Sequence, residues 1–333
     1  MRTATFETSG KIEYPDAVAL VFNPMRISVT TTNKVNVNIA NLFTDSRTPF
    51  AGKVELDISS YCQALFEVDG KSLVQSKSVE VRVFTDAASM TFSVTCIWGA
   101  INIGERFNAP RVVTWFTHFP FTFSLYVAEG ATVRTRYDKN GYTVKKLNSG
   151  LNHLDVKSIF PAAKNFGVIR LDETILASVF EYTFDNTFTP VGPGVLINRI
   201  IIDDSKCGVY LRWIDRHGMY YYYLFKDGAN ERKTAVDGEQ IHIDYQDNKY
   251  GYHGVSRYQQ KPMQRSTKAC AVLVDANTIG YLETLLSSPL VDMWVDGNWV
   301  PVTIAPASMV DERKSLQDFE IEIMWPEIVT QRL

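Results

Sequence analysis

Cys207–Gly228 reads CGVYLRWIDRHGMYYYYLFKDG, two aromatic runs flanking a short polar break. Successive side chains on a strand point to opposite faces. In the first run Tyr210, Arg212 and Ile214 share one face, and Val209, Leu211 and Trp213 the other. In the second, Tyr220, Tyr222 and Leu224 oppose Tyr221, Tyr223 and Phe225. Alternate tyrosines diverge, so Tyr220 to Tyr223 do not all line one groove. The stretch reads as a β-hairpin covered on both faces and turned at Asp215 to Gly218. One tyrosine pair is expected in a core and the outer pair under a second layer or a partner subunit. His217 falls in the turn as a solvated loop histidine.

The rest of the chain repeats this period of two. Ile27 and Val29, then Val35, Val37 and Ile39, alternate with Ser, Thr and Asn. Val54, Leu56 and Ile58 follow, then Val79, Val81 and Val83, then Phe92, Val94 and Cys96. Half-buried antiparallel strands give this pattern. VVTWFTHFPFTFSLYV is apolar throughout and suits strands buried on both faces, interrupted near Pro120. DKNG (Asp138–Gly141) marks a hairpin turn, as does Asp296-Gly297. Leu147–Val168 reads as loop with one helical turn. SVFEYTF and VLINRIIIDD read as strands, as do EQIHIDYQ, SRYQQKPMQRSTKACAVLV and QDFEIEIMWPEI. One helix is expected near 277–287. Asn277 or Thr278 caps it, and Ile279, Leu282, Leu285 and Leu286 share a face. The fold class is therefore all-β, mainly antiparallel and β-sandwich or jelly-roll-like, with one or two short helices. The Pro- and Gly-rich segment Asp185–Val195 is the best domain boundary. It separates a sandwich-like region, 1–187, from a β domain, 188–333. The first region has possible internal breaks near 100–110 or 147–168.

The bulk numbers narrow the function. The 333 residues allow two ordinary domains. A net charge of −3 with no dense Lys/Arg run argues against nucleic acid as partner. No run of about 18 apolar residues exists to span a membrane, and the N-terminus shows no signal-peptide pattern. Cys62, Cys96, Cys207 and Cys270 lie far apart in apolar runs and read as four buried thiols.

No catalytic or phosphate-binding motif is present, so no enzyme, cofactor or metal site is expected. The nearest acid–base or metal grouping is His242, Asp244 and His253 with Asp247. A polar strand face near a loop is the plainer account of it. Carboxylate pairs for glycoside hydrolysis are Asp203 with Asp204, Glu181 with Asp185, and Asp292 with Asp296, but no spacing selects one. Trp213, Trp294 and Trp299, with the tyrosines, offer either a sugar-stacking platform or cross-strand packing. The candidate interaction surface is Tyr220, Tyr221, Tyr222, Tyr223, Trp294 and Trp299.

The opening hairpin, together with TIGYLETLLSSPLVDMWVDGNWVPVTI and LQDFEIEIMWPE, resembles segments of tail- and baseplate-associated structural proteins of Bacteroidetes phages and prophages. The shared pattern is a Trp-ended strand, a Gly-containing turn and an aromatic strand ending in Leu-Phe. A short helix, a Ser-Pro step, a hairpin with W-x-PV and a closing strand follow. The resemblance covers Ile197 to Glu327. It implies a non-enzymatic virion structural protein of a tail tip or baseplate. Such a protein docks on copies of itself and on other virion proteins, with host-surface glycan a possible further partner. It is made in the bacterial cytoplasm, where thiols stay reduced. The alternative is a carbohydrate-binding or cell-surface β-sandwich module.

Overall fold

The structure is a computed structural model. It describes residues 1–8, 10–66, 68–69, 72–73, 75–102, 112–127, 132–136, 142–146, 150–155, 179–184, 198–243, 255–306 and 315–328. The chain is all-β, mostly antiparallel, with two short helices among the described residues. It divides into two compact units. One is Met1–Lys206 with Trp213–Tyr223; the other is Cys207–Arg212 with Leu224–Leu333. The boundary expected at Asp185–Val195 lies outside the described residues, as does most of the break expected near 100–110.

The first unit opens with β1 (Arg2–Phe6), β2 (Gly10–Tyr14), β3 (Val18–Leu20), β4 (Arg26–Thr30), β5 (Val35–Ile39), β6 (Phe43–Arg47) and β7 (Lys53–Asp57). Helix α1 (Ser59–Ala64) follows, then the short pair β8 (Val68–Asp69) and β9 (Ser72–Leu73), then β10 (Ser76–Phe84) and β11 (Ser89–Ile97). Two sheets result, ordered β1-β2-β4-β7 and β3-β11-β10-β5-β6. Their apolar faces merge into one core, a sandwich. Every alternating residue read from the sequence in this region is buried there, from Ile27 and Val29 to Val94 and Cys96. Each fully buried aliphatic side chain contributes about 1.5–3 kcal/mol, so the alternation itself holds the two sheets together.

Glu7 ties one end of the sandwich. Its carboxylate accepts from Thr31 Oγ1 at 2.9 Å, Asn33 Nδ2 at 3.1 Å and Thr85 Oγ1 at 2.7 Å. Thr31 follows β4 in one sheet, and Thr85 follows β10 in the other. These bonds hold the carboxyl below its ordinary pKa, Asn33 contributing most, then Thr85.

Further along come β12 (Val112–Phe116), β13 (Thr122–Val127), β14 (Thr132–Arg136), β15 (Tyr142–Lys146), β16 (Gly150–Asp155), β17 (Val179–Phe184) and β18 (Asn198–Asp203). They form a five-stranded sheet, β12-β18-β17-β14-β15, and a pair, β13-β16. The DKNG hairpin is borne out in the pairing of β14 with β15, although its turn residues lie outside the described set. The loop expected from Leu147 is corrected in part. Gly150–Asp155 is a strand, held by an antiparallel ladder to β13 that a single-strand reading does not reveal.

The second unit is built on a closed barrel, β19-β20-β23-β26-β25-β24. Its strands are β19 (Val209–Ile214), β20 (Tyr220–Thr234), β21 (Asp237–Ile243), β22 (Val255–Gln260), β23 (Met263–Asp275), β24 (Val291–Val295), β25 (Asn298–Ile304) and β26 (Leu316–Met324), of which β21 and β22 pair outside the barrel. The β domain expected for this half is a closed barrel, and closure leaves its wall no unpaired sheet edge. Helix α2 (Ala276–Ser287) joins β23 to β24 and buries Ile279, Leu282 and Leu285. Its cap is Asp275, whose Oδ1 accepts from the Thr278 amide at 2.8 Å, not Asn277 or Thr278. The helix starts one residue earlier than expected, and Asp caps as well as Asn. The Asp296-Gly297 turn is as read: both residues have positive φ, 49° and 84°.

Candidate interaction surfaces

The opening hairpin turns at Asp215 to Gly218. Asp215 N donates to Met219 O at 2.9 Å, and Gly218 N to Asp215 O at 2.9 Å. The Asp215 carboxylate accepts from the amides of His217 and Met219 at 3.1 and 2.8 Å. Gly218 has φ 78°, and a Cβ there would stand 2.6 Å from Trp98 O. Backbone therefore approaches backbone, and only glycine fits. Gln75 Nε2 donates to Gly218 O at 2.9 Å within this buried contact. The solvated-loop reading of His217 is corrected. Its side chain is 12% exposed and lies 3.5 Å from the Asp215 carboxylate, because the turn is packed.

The four tyrosines do not divide into an inner and an outer pair. Tyr221 and Tyr222 are buried, while Tyr220 and Tyr223 are half-buried. The buried two are sequence neighbours, so they lie on opposite faces, and each face is covered within the first unit. Tyr222 packs on Phe121, and its hydroxyl is 2.7 Å from Thr122 Oγ1. Tyr220 meets His153, and its amide donates to Ser124 Oγ at 3.3 Å. Tyr221 lies edge-on to Trp213, and Tyr223 edge-on to Phe116. Parity correctly separates the faces, but it does not show that β13 and β16 cover the face of Tyr220 and Tyr222 while Phe116 of β12 meets Tyr223 on the other.

Trp294 and Trp299 face each other across the β24–β25 hairpin in the second unit. Their ring centroids are 5.0 Å apart and edge-to-face. The Arg212 guanidinium lies 4.3 Å over Trp299, and its Nε donates to Asp292 Oδ2 at 2.8 Å. Tyr210 adds a ring 5.8 Å from Trp299. Both tryptophans are half-buried. One face of Trp299 is already taken by a cation.

The carboxylate and histidine groupings are mostly dispersed. Asp292 is held by Arg212, and Asp296 sits in a turn. Asp203 ends β18 and its carboxylate accepts from the Ser205 amide. His242 is exposed on β21 and bonded to Ser256 Oγ at 2.6 Å. Asp185, Asp244, Asp247 and His253 lie outside the described residues, and for Glu181 only the backbone is described. Among the described residues no three His, Cys, Asp or Glu converge as metal ligands, and no helix is long and apolar enough to cross a membrane. All four cysteines are free. The expectation of four buried thiols is corrected, because Cys207 is exposed in the loop before β19 and Cys270 is half-buried.

The feature that sequence reading missed is a ribbon. β20 and β23 start in the barrel wall and continue outward as an antiparallel pair, from Lys226↔Cys270 to Thr234↔Met263. The pairing carries on into β21 and β22 as a two-stranded sheet, Asp237↔Gln260 to Ile243↔Val255. Residues 232–242 and 256–259 are all exposed, whichever way they point. They include Val236, Ile241 and Tyr258, at 52%, 40% and 39% exposure. The seven residues of β21 alone reach about 23 Å. The sequence signal was the loss of apolar alternation after Phe225, where both parities become polar.

No protein-family model and no curated protein matches this chain.

Proposed function

We propose that this chain is a non-enzymatic virion structural protein of a phage or prophage, a tail-tip or baseplate component that acts by binding copies of itself and other virion proteins. The observation that carries the reading is the ribbon. Two strands with both faces in water are marginally stable on their own, because they bury little apolar surface against the entropy of ordering. Such a ribbon gains its stability when a neighbour covers it. The resemblance of Ile197–Glu327 to phage tail proteins points the same way, and the free cysteines suit assembly in a reducing cytoplasm. The carbohydrate-binding alternative has less to rest on, since Arg212 occupies one face of Trp299.

Two tests apply. Light scattering and electron microscopy of the purified chain are expected to show discrete rings or stacks. The neighbouring genes are expected to include tail, tape-measure or portal genes, and a neighbourhood with none of them sinks the virion reading.

A further inference from the structure

The ribbon's charge identifies its partner surface. Residues 226–243 and 255–268 carry seven cations, Lys226, Arg232, Lys233, Arg257, Lys261, Arg265 and Lys268. They carry four carboxylates, Asp227, Glu231, Asp237 and Glu239. The ribbon is thus +3 on a chain of −3, which leaves −6 on everything else. Glu231 is taken up locally, 3.0 Å from Lys268 and 3.4 Å from Lys233. Among the described residues Lys226, Arg232, Arg257 and Lys261 have no carboxylate within ion-pair distance.

The opposite charge is displayed on β26. That strand alternates Phe319, Ile321 and Ile323 inward with Asp318, Glu320 and Glu322 outward, the first two of these exposed. The three carboxylates form a straight acidic line on the barrel wall. Asp318 to Glu322 spans roughly 13 Å, as does Arg257 to Lys261 if extended. Lys268, at the base of the ribbon, lies directly across from Glu322 of its own chain. The β23–β26 ladder ends at Ser266↔Met324, and Arg257 on β22 and Lys261 just after it lie beyond that end, away from the line of their own barrel.

We propose that the ribbon of one copy docks along the β26 acidic line of a second copy, a head-to-tail contact. This rests on the self-assembly reading above and names the surface it uses. The apolar side chains Val236, Ile241 and Tyr258 supply burial, and the charges set register and partner choice. Because donor and acceptor surfaces differ, the contact repeats from copy to copy and gives a ring or a filament.

Charge exchange tests it. One full-length variant carries Arg232→Glu, Arg257→Glu and Lys261→Glu. A second carries Glu320→Lys and Glu322→Lys, leaving Asp318, which also accepts from the Leu273 amide. Each alone is expected to assemble at least about tenfold more weakly at low salt, with unchanged circular dichroism. An equimolar mixture regains assembly, since every ribbon then meets an opposite line on the other variant. Wild-type assembly weakens as salt is raised. If the wild type assembles and both folded variants assemble equally well, or the mixture fails to recover, the docking inference is overturned while the assembly reading stands. If the wild type never assembles, both fall.

Discussion

Replacing Glu7 with Ala should loosen the N-terminal sandwich by a predictable amount. Three side chains donate to its carboxylate, and two of them, Thr31 and Thr85, are buried at 6% and 8% exposure. Without an acceptor each buried hydroxyl keeps its desolvation cost, about 1 kcal/mol or somewhat more. The third donor, Asn33, is exposed and finds water. The expected loss is therefore roughly 2–3 kcal/mol. It should depend on pH with a definite sign. The folded-state pKa of Glu7 is held below its ordinary 4.5. Its contribution is therefore fully present above about pH 4.5 and is lost as pH falls through the lower folded value. The assay is hydrogen exchange at β1, β4 and β10, for wild type and variant, at neutral and acid pH. The gap in protection should be large at neutral pH and shrink in acid. A gap below about 0.5 kcal/mol at neutral pH, or one that does not change with pH, would refute the role given to Glu7.

Other outcomes follow from the same geometry. Trp213→Ala empties a site that is 0% exposed and should cost about 3–5 kcal/mol in denaturant titration. Trp115→Phe should cost far less than a truncation of a buried tryptophan, about 1 kcal/mol or under, because Trp115 Nε1 is a buried donor with no partner among the described residues and its removal ends that penalty. Asp275→Ala should destabilise α2 by about 1 kcal/mol, read as faster exchange at its first-turn amides, and Asp275→Asn should restore most of it. Thiol labelling of the native chain should modify Cys207 at once. Cys62 and Cys96 should react only on unfolding, both being 0% exposed, with the side-chain hydrogen bond to Cys62, and then burial, pushing the Cys96 thiol up. Fast labelling of Cys96 in native protein would place it outside the core.

Much of the fold is legible because sheet faces leave a period of two. Val35, Val37 and Ile39, or Phe319, Ile321 and Ile323, state in one dimension which side is buried. The Asp296-Gly297 turn is legible for the same local reason. Pairings between distant strands are not. Barrel closure joins β23 to β26 through a register shift between Ala271 and Val274, where Leu273 takes a positive φ of 51°. Nothing near Leu273 in the sequence announces this. The tyrosine run shows the same limit. Its faces could be assigned, but whether Tyr222 meets Phe121 or a partner depends on a strand about 100 residues away. The ribbon was read as strands, correctly, yet its departure from the barrel was hidden, since an exposed strand and a polar loop have similar compositions.

The central claim is that the ribbon makes this chain an assembling one. Thr234 and Met263 are directly paired, so 235–262 can be replaced by an Asn-Gly turn without disturbing β20 or β23. The decisive measurement is the mass by light scattering, across a concentration series, of the whole chain beside this shortened one. The account predicts an oligomer for the whole chain and a folded monomer, with the same circular dichroism, for the shortened one. A shortened chain that assembles as well as the whole chain would contradict it.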